Sequence, residues 1–519
     1  MTDSPIGGSY PGHARLGSGV LDIILMVSIA APAPARLPRG FAPALVFVAS
    51  GAVLVLEILG IRLLAPYVGL TLETYTTTIG VVLAGIAAGS ALGGRAADKL
   101  DGRRLLAVLL VAGGLLAICT VPLVRVLGEV VGAGHAAALA VALFALLPPA
   151  AVLSAVTPVV IKLELGDLGA SGTVVGRLSA WATAGALAGT FLTGFVLVPL
   201  LPVRASVIGV GGLLVVAGIA VAARFRAFPV AASAVALGGA ALLAATAVAA
   251  GTRCTAESVY YCAQVRADPQ RASGRVLVLD DLRHSYVDLA DPRHLEFAYT
   301  RWIADALDGL APAGAPLDAV FVGGGGFTLP RYLEATRPGS RSRVLEVDSE
   351  LVELVRRDLG LRTGPELRVR TGDARVTLRT EPAGSADVVV GDAFGGRSIP
   401  WHLATAEFVA DVRRVLRPGG VYLLNVIDGG GLALLRAEAA TLLDAFADVA
   451  LVAAPDPGGG GPGRGNLVLL ASRRPLPDAV RSRSRGARTY GRAELARLAA
   501  GADPLTDDDA PADQLLSPG

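Results

Sequence analysis

Long apolar runs dominate the first half of the chain. Each run is long enough to cross about 30 Å of hydrocarbon as a helix, which takes roughly 20 residues. The seven runs are residues 42–60, 77–97, 105–125, 136–161, 179–200, 206–223 and 228–250. The sequence therefore predicts a multi-pass α-helical membrane domain over residues 39–251, preceded by a disordered segment at 1–38.

The pattern changes near residue 251, where short apolar segments begin to alternate with polar ones. Residues 252–315 predict a small β-rich subdomain that ends in a helix at 296–309. Residues 316–475 alternate strand and helix, which is typical of a doubly wound parallel sheet. Residues 476–519 form a C-terminal segment that is expected to be largely disordered from about residue 502, where acidic residues and prolines accumulate.

Small residues recur every four positions within two of the apolar runs. They are Gly85, Gly89 and Gly93 in the second run and Gly185 and Gly189 in the fifth. Small residues at this spacing let helices approach closely in lipid, so packing is the favoured interpretation and a substrate path is the alternative.

Prolines and one carboxylate interrupt the apolar runs. Pro148, Pro149 and Pro158 predict a kinked or broken fourth span.

Glu57 lies near the end of the first run, five residues before Arg62. An ionisable residue at this depth is a candidate for a functional site, but an interfacial ion pair with Arg62 is the favoured interpretation.

Composition supports a membrane assignment and narrows the function. The chain of 519 residues is 53% hydrophobic and 17% charged, against about a quarter charged in soluble proteins. The net charge of +2 says nothing about partners, whereas the lack of a basic patch with interleaved aromatics argues against a nucleic-acid partner. No His or Cys cluster has metal-binding spacing. Cys254 and Cys262 lie eight residues apart after the last run, and whether they are bonded stays open.

The distribution of cations predicts which way the membrane domain is inserted. The loop at 94–104 carries four cationic residues and is therefore placed in the cytoplasm. It also resembles the loop that joins spans two and three of major facilitator transporters, although seven spans fall short of that family's usual twelve. Counting spans from this loop puts residues 251–519 outside the cytoplasm. A domain that uses a cytosolic nucleoside would lie inside, so the side stays open here.

The second half also contains a glycine-rich loop followed by acids at successive strand ends. Gly323, Gly324, Gly325 and Gly326 follow a predicted strand and precede a predicted helix, where a ligand can approach the backbone closely. Such a loop is typical of a Rossmann-like fold. The acids are Glu346, Asp373 and Asp392.

Glu346 and Asp373 are expected to bind a nucleoside, because ligands of open α/β sheets bind at the carboxyl ends of the strands. Glu346 follows Gly326 by twenty residues, a spacing that suits a carboxylate accepting from ribose hydroxyls. Asp373 is placed to accept from an adenine amino group. Together these positions predict a nucleoside-binding site.

Several motifs in the second half resemble the spermidine synthase family of aminopropyltransferases, a branch of the methyltransferase-like Rossmann folds. The similarity runs from about Glu257 to Ala471, roughly two-fifths of the chain, and a multi-span domain before such a fold resembles membrane-fused members of the group. The motifs are Glu257-Ser258-x-Tyr260, Gly274-Arg275-x-Leu277-x-Leu279-Asp280, Glu296-Phe297-x-Tyr299, the glycine loop, Glu346-Val347-Asp348, Gly372-Asp373, Asp387 to Asp392, and Arg417-Pro418-Gly419-Gly420-Val421.

The resemblance implies that an aminopropyl group moves from decarboxylated S-adenosylmethionine to putrescine or another polyamine acceptor. Glu346 would hold the ribose and Asp373 the adenine, while the glycine loop would cradle the co-substrate. Asp392 would orient and help deprotonate the attacking amine, with Tyr299 assisting. No prosthetic group is implied. The family is often dimeric or tetrameric, which leaves a homo-oligomer open.

The chain departs from the family pattern on the amine side of the site. An acid is expected within the glycine loop, where Gly326 and Phe327 stand, and a second acid is expected shortly after Asp392, where Gly395 stands. Gln is expected at Tyr261 and His at Thr300. Arg397, Trp401 and His402 follow Asp392 and could shape a different acceptor pocket.

Three functions therefore stay open. The first is a membrane-bound spermidine synthase-like aminopropyltransferase of polyamine biosynthesis. The second is a transferase that uses S-adenosylmethionine itself on another acceptor. The third is a transporter or sensor whose nucleoside-binding domain is a non-catalytic module.

Overall fold

The computed structural model describes residues 37–38, 40–70, 72–131, 135–165, 171–249, 251–456, 461–481 and 486–516. The expected disorder of residues 1–38 therefore falls almost entirely outside the described residues. The described chain forms two compact units, one of residues up to 64 together with 73–251, and one of residues 65–72 together with 252–519.

Seven helices of the described chain are long and apolar enough to cross a membrane. They are α1 (Phe41–Val68), α2 (Leu72–Lys99), α3 (Gly102–Val131), α4 (Ala136–Glu164), α5 (Ser171–Leu200), α6 (Val203–Phe225) and α7 (Val230–Ala249). All seven coincide with the predicted runs. Most of them extend beyond the apolar residues, because helical hydrogen bonding continues into the flanking polar residues.

The fourth helix is broken, as its prolines predict. It consists of three pieces, His135–Ala145, Leu147–Ser154 and Val156–Glu164. Pro148 and Pro149 stand in the first turn of the second piece, and Pro158 stands in the first turn of the third. A proline has no N–H to donate, so each piece restarts where this loss is tolerated.

The small residues of α2 and α5 lie at close helix contacts. A Cβ at Gly89 would stand 2.0 Å from the carbonyl oxygen of Ala151 in α4. A Cβ at Gly185 would stand 2.1 Å from the carbonyl oxygen of Phe47 in α1, and one at Gly189 would stand 2.4 Å from that of Gly51. Neither helix pair could approach this closely with a larger residue, which supports the packing interpretation.

The second unit begins with a small antiparallel sheet. Its strands are β1 (Ala256–Glu257), β2 (Cys262–Asp268), β3 (Arg271–Leu279) and β4 (Leu282–Asp288), paired in chain order. Helix α8 (Ala298–Gly309) follows it and packs its apolar side against the central sheet through residues such as Ile303 and Leu307.

The central sheet has eight strands and is mixed, whereas the sequence predicts a parallel one. In chain order its strands are β5 (Asp318–Val322), β6 (Arg341–Glu346), β7 (Leu367–Thr371), β8 (Ala386–Gly391), β9 (Leu416–Asp428), β10 (Asp448–Ala453), β11 (Gly465–Ser472) and β12 (Arg488–Tyr490). Five strands pair in parallel in the order β9-β8-β5-β6-β7, and β11, β10 and β12 continue from β9 in antiparallel pairing. The sequence predicts β11, but β10 and β12 are short segments that it does not single out. Eleven residues join β10 to β11, fewer than the dozen or so that a parallel crossover needs, so the chain returns antiparallel.

Helices connect and follow the strands of this sheet. The helices between and after them are α9 (Thr328–Thr336), α10 (Ser349–Asp358), α11 (Ala374–Arg379), α12 (Ala406–Val415), α13 (Ala433–Ala445), α14 (Asp478–Arg481), α15 (Arg492–Leu498) and α16 (Ala512–Leu515). Helices cover both faces, because alternate residues of each strand enter different apolar layers. Val320 and Phe321 of β5 belong to opposite layers.

The strand order reverses between β5 and β8. The chain runs outward from β5 through β6 to β7, and then returns to place β8 on the other side of β5. A crevice forms at such a reversal, outside the carboxyl ends of the two central strands. The glycine loop follows β5 and Asp392 follows β8, so the fold brings them together there.

The C-terminal tail packs against the second unit as far as residue 516, although the sequence predicts disorder there. Arg375 donates to Asp507 at 2.6 Å, and Thr405 donates to the same carboxylate at 2.7 Å. The backbone N–H of Leu505 donates to Thr441 at 2.9 Å. The acidic residues that suggest a solvated tail therefore serve partly as hydrogen-bond acceptors for α11 and α12.

Candidate active site

The glycine loop turns sharply between β5 and α9. Gly323 and Gly325 have φ of +94° and +49°, in the left-handed region that favours glycine. A Cβ at Gly323 would also stand 2.4 Å from the carbonyl oxygen of Asp392. The next residue with positive φ is Phe327, at +58°, whose side chain is fully buried. The loop therefore combines a tightly turned glycine backbone with a rigid, apolar support.

Glu346 organises this loop from the end of β6. Its Oε2 accepts from the N–H of Gly324 at 2.7 Å and of Gly325 at 3.4 Å, and its Oε1 accepts from the N–H of Asp348 at 3.0 Å. The side chain is 6% exposed. Burial raises the pKa of Glu346 above its ordinary value, although the three backbone N–H groups act in the opposite direction. The carboxylate thus both shapes the loop and lies beside it.

Asp392 lies at the end of β8 within a small polar network. The Tyr299 hydroxyl donates to its Oδ2 at 3.1 Å, and the Asn425 amide donates to its Oδ1 at 2.8 Å. Asn425 also donates to the side-chain oxygen of Asn466 at 3.1 Å. Three elements, α8, β9 and β11, therefore fix the direction in which this carboxylate points.

Burial raises the pKa values of both Asp392 and Tyr299, with different consequences at neutral pH. It raises the pKa of Asp392 to about 6, even though the hydrogen bonds from Asn425 and Tyr299 lower it. Burial and the neighbouring Asp392 raise the pKa of Tyr299 well above its ordinary value. At neutral pH Asp392 is thus mostly an anion that can accept a proton, and Tyr299 keeps its proton and donates it in the hydrogen bond to Asp392.

Asp373 serves partly as a helix cap. Its Oδ1 accepts from the N–H of Arg375 at 2.7 Å at the start of α11, and its Oδ2 lies 3.1 Å from Nε2 of His402. His402 therefore lies against this carboxylate. Carboxylate oxygens have about four acceptor positions, so capping leaves room for another donor.

A cavity of about 430 Å³, including its open mouth, lies between the loop and Asp392. Its lining includes Tyr299, Gly323, Gly324 and Asp392, together with the apolar ring of Phe297. Glu346 and Asp373 are not part of this lining. The structure therefore brings the candidate catalytic pair and half of the glycine loop to one cavity, and leaves both Glu346 and Asp373 outside its lining.

Several polar residues around the site are not singled out by the sequence. Ser285 of β4 accepts from the N–H of Gly326 at 3.0 Å, and Asn425 holds Asp392. Asn425 interrupts the apolar run of β9, which is a usable signal, since a buried polar residue needs a partner. Ser285 has no such signal, because its contact depends on how the small sheet meets the glycine loop.

The two cysteines after α7 are joined. Cys254 and Cys262 form a disulfide in the structure, which answers the question that the sequence leaves open. Among the residues that the structure describes, no group of three or more His, Cys, Asp or Glu is arranged to hold a metal ion.

Part of the chain is similar in sequence to known polyamine aminopropyltransferases. Over 195 residues the chain is 29% identical to a polyamine aminopropyltransferase of Vibrio vulnificus, covering 37% of this chain and 61% of the relative. It is 38% identical over 116 residues to polyamine aminopropyltransferase 2 of Streptomyces coelicolor, covering 21% of each. Over these lengths the chain is similar to polyamine aminopropyltransferases. The chain spans about three-fifths and one-fifth of the lengths of these two relatives.

The chain also aligns with a solved structure. It is a probable spermidine synthase from Corynebacterium glutamicum, 28% identical, with a TM-score of 0.45, covering 48% of this chain and 94% of that one. No family model matches the chain.

Proposed function

We propose that this chain is an aminopropyltransferase that moves an aminopropyl group from decarboxylated S-adenosylmethionine to an amine of the polyamine class. The observation that carries the proposal is the buried Asp392 carboxylate, held by Tyr299 and Asn425 at the cavity beside the glycine loop. The similarity to a polyamine aminopropyltransferase over 195 residues of the chain supports it.

The chemistry needs a base and good positioning. A primary amine is mostly protonated at neutral pH, and Asp392 would accept a hydrogen bond and then a proton from it. The freed nitrogen pair attacks the carbon next to the sulfonium. A carbon–nitrogen bond forms, the carbon–sulfur bond breaks, and its electrons neutralise the sulfur, which leaves as methylthioadenosine. Because the sulfonium is already an activated leaving group, positioning of the two reactants supplies much of the remaining rate.

The nucleoside would lie across the glycine loop. Glu346 would accept from a ribose hydroxyl at Oε1, where the three backbone N–H groups of Gly324, Gly325 and Asp348 leave about one acceptor position open. Asp373 would accept a hydrogen bond from the adenine amino group at the acceptor positions that Arg375 and His402 do not occupy. Tyr299 would hold Asp392 in the direction of the amine.

Replacing Glu346 with Gln is expected to weaken donor binding by at least tenfold, because an amide both loses charge and presents an N–H₂ group to the glycine loop. Isothermal calorimetry on the full chain in detergent, with decarboxylated S-adenosylmethionine and methylthioadenosine as titrants, measures this. Glu350→Gln, on the exposed side of α10, serves as the control and should bind as wild type does. No heat with either compound for the wild-type chain would count decisively against the proposed activity.

One observation favours a second candidate, a transferase that uses S-adenosylmethionine itself. The segment after Asp392 carries Arg397 and no acid as far as Ser398. A cation there suits a substrate with a carboxylate better than one with a second ammonium group. Tighter binding of S-adenosylmethionine than of its decarboxylated form in the same titration would select this candidate, and the reverse preference would remove it.

We also propose that the seven long helices cross a membrane. Large apolar side chains remain exposed on their outer surface, including Phe144, Phe195, Val230 and Leu242, all more than 60% exposed. In α7 only 11% of the most apolar window is buried. Such a surface is stable in hydrocarbon and unfavourable in water.

Cations gather at one end of the helical unit. Lys162 pairs with Asp98 there, and Arg103 lies over the Phe225 ring with 5.2 Å between the guanidinium carbon and the ring centre. The cationic residues at this end are Arg95, Lys99, Arg103, Arg104, Lys162, Arg177, Arg224 and Arg226. An excess of Lys and Arg marks the cytoplasmic side, so the residues after α7 would emerge on the opposite side.

Paired reporters fused to the carboxyl terminus should therefore be active outside the cytoplasm and inactive within it. The Cys254–Cys262 disulfide agrees with this side, since structural disulfides persist in oxidising compartments. The donor nucleoside would then have to be supplied outside. Activity of the cytoplasmic reporter alone would overturn the charge-based orientation and leave the domain with direct access to cytosolic donor.

A further inference from the structure

The segment from Cys254 to Cys262, closed by its disulfide, has a rigid turn at its centre. The N–H groups of Tyr260 and Tyr261 donate to Ser258 Oγ at 3.1 and 3.0 Å, and the N–H of Ser258 donates to the Tyr261 carbonyl at 2.9 Å. We call residues 254–262 the disulfide-closed segment. Its ends are tied twice, by the disulfide and by the pairing of Glu257 with Cys262.

One side of this segment is linked by hydrogen bonds to Glu346. Ser258 Oγ donates to Asp348 Oδ2 at 2.5 Å, and Asp348 is 2% exposed. The N–H of Asp348 donates in turn to Glu346 Oε1, and the other oxygen of Glu346 holds the glycine loop. A continuous hydrogen-bonded path therefore runs from Ser258 through Asp348 to Glu346.

The other side of the segment reaches the loop after Asp392. The Tyr261 hydroxyl donates to the backbone carbonyl of Phe394 at 2.7 Å, two residues beyond Asp392. Burial and three nearby carboxylates, Glu346, Asp280 and Asp348, raise the pKa of Tyr261, so this hydroxyl keeps its proton. Tyr261 thus acts as a permanent donor to the loop.

We propose that Ser258 and Tyr261 are positioning residues. Ser258 holds Glu346 through Asp348, Tyr261 holds the loop after Asp392, and the disulfide keeps both positioning residues in place. This rests on the proposed function for its kinetic consequences. Its structural content, that one covalently closed segment supports both halves of the site, does not depend on which substrate the site takes. The two residues act on different halves, so their effects are separable.

Replacing Tyr261 with Phe keeps the ring and removes the hydrogen bond to Phe394. We expect kcat to fall by about five- to tenfold, with the Kd for decarboxylated S-adenosylmethionine within twofold of wild type. Replacing Ser258 with Ala should do the opposite, and raise this Kd about tenfold with a smaller change in kcat, since hydrogen bonds to charged groups are the stronger ones. The Cys254→Ser, Cys262→Ser double variant should show both effects.

Two variants serve as matched controls on the full chain. Tyr490→Phe removes a buried hydroxyl that has no hydrogen-bond partner in the described part of the chain, and Cys119→Ser removes the free cysteine of α3. Neither should change kcat or donor Kd. If either control matches its test variant, the effect belongs to the substitution type and the proposal is overturned.

Hydrogen–deuterium exchange separates this proposal from the proposed function. Without any ligand, Tyr261→Phe should increase exchange in peptides covering residues 393–398, and Ser258→Ala in those covering 346–351. Unchanged exchange in both regions would overturn the positioning role. Increased exchange in a chain that binds no donor would support the positioning role and reject the proposed activity.

Discussion

Asp392→Asn is expected to lower kcat by about 10²- to 10⁴-fold, the range that a positioned general base contributes. The amide keeps the shape of the side chain and loses the ability to accept a proton. Donor affinity should change little, because Glu346 and the glycine loop hold the nucleoside. Single-turnover transfer to a diamine, together with calorimetry for donor binding, would separate the two quantities. A variant with wild-type kcat would show that Asp392 is not the base.

The pH profile provides a second measurement of the same group. Because burial raises the pKa of Asp392 to about 6, kcat/KM should increase as pH rises through this value, where the carboxylate becomes ionised. Tyr299→Phe removes one hydrogen bond that lowers this pKa, so its profile should move to higher pH. Asp411→Asn, which disrupts an exposed ion pair with Arg379, should leave both the rate and the profile unchanged.

Glu438→Gln is expected to stabilise the second unit at alkaline pH by up to about 5 kcal/mol, since each unit of pKa difference between the folded and unfolded chain corresponds to about 1.4 kcal/mol. Glu438 is 0% exposed on α13, and neither of its carboxylate oxygens has a hydrogen-bond partner among the described residues. Burial raises the pKa of Glu438 to about 8. A buried carboxylate is unfavourable, so the folded chain keeps the group protonated where the unfolded chain ionises it.

The sign of the pH dependence follows from this difference. Between about pH 4.5 and 8 the folded chain binds one proton more than the unfolded chain, so the free energy of unfolding falls as pH rises, by at most about 1.4 kcal/mol per unit. Below this window wild type and Glu438→Gln should be equally stable. Above it the variant should be the more stable one, because glutamine imitates the protonated acid.

Urea unfolding of the full chain, followed by the fluorescence of buried Trp302 with Trp181 and Trp401 replaced by Phe, measures this. Asp444→Asn, on the exposed side of the same helix, is the matched control and should keep the wild-type pH dependence. Parallel curves for wild type and Glu438→Gln from pH 5 to 8 would contradict the assigned protonation state.

Sequence patterns predict the large features of this chain well, because those features are local. The seven apolar runs become seven helices, and the break in α4 lies where Pro148, Pro149 and Pro158 stand. The strand ends after β5, β6 and β8 are also local signals. They are enough to predict that the glycine loop, Glu346 and Asp392 would share one rim of a sheet.

The tertiary structure alone decides which polar groups meet at that rim. Asn425 and Tyr299 reach Asp392 from β9 and α8, more than thirty and ninety residues away in sequence, so no local pattern could predict the pairing. The docking of the acidic tail has the same cause. Sequence determines which segments must be buried and how each folds, whereas long-range packing determines which buried groups become partners, because contacts between distant segments depend on the whole arrangement of strands and helices.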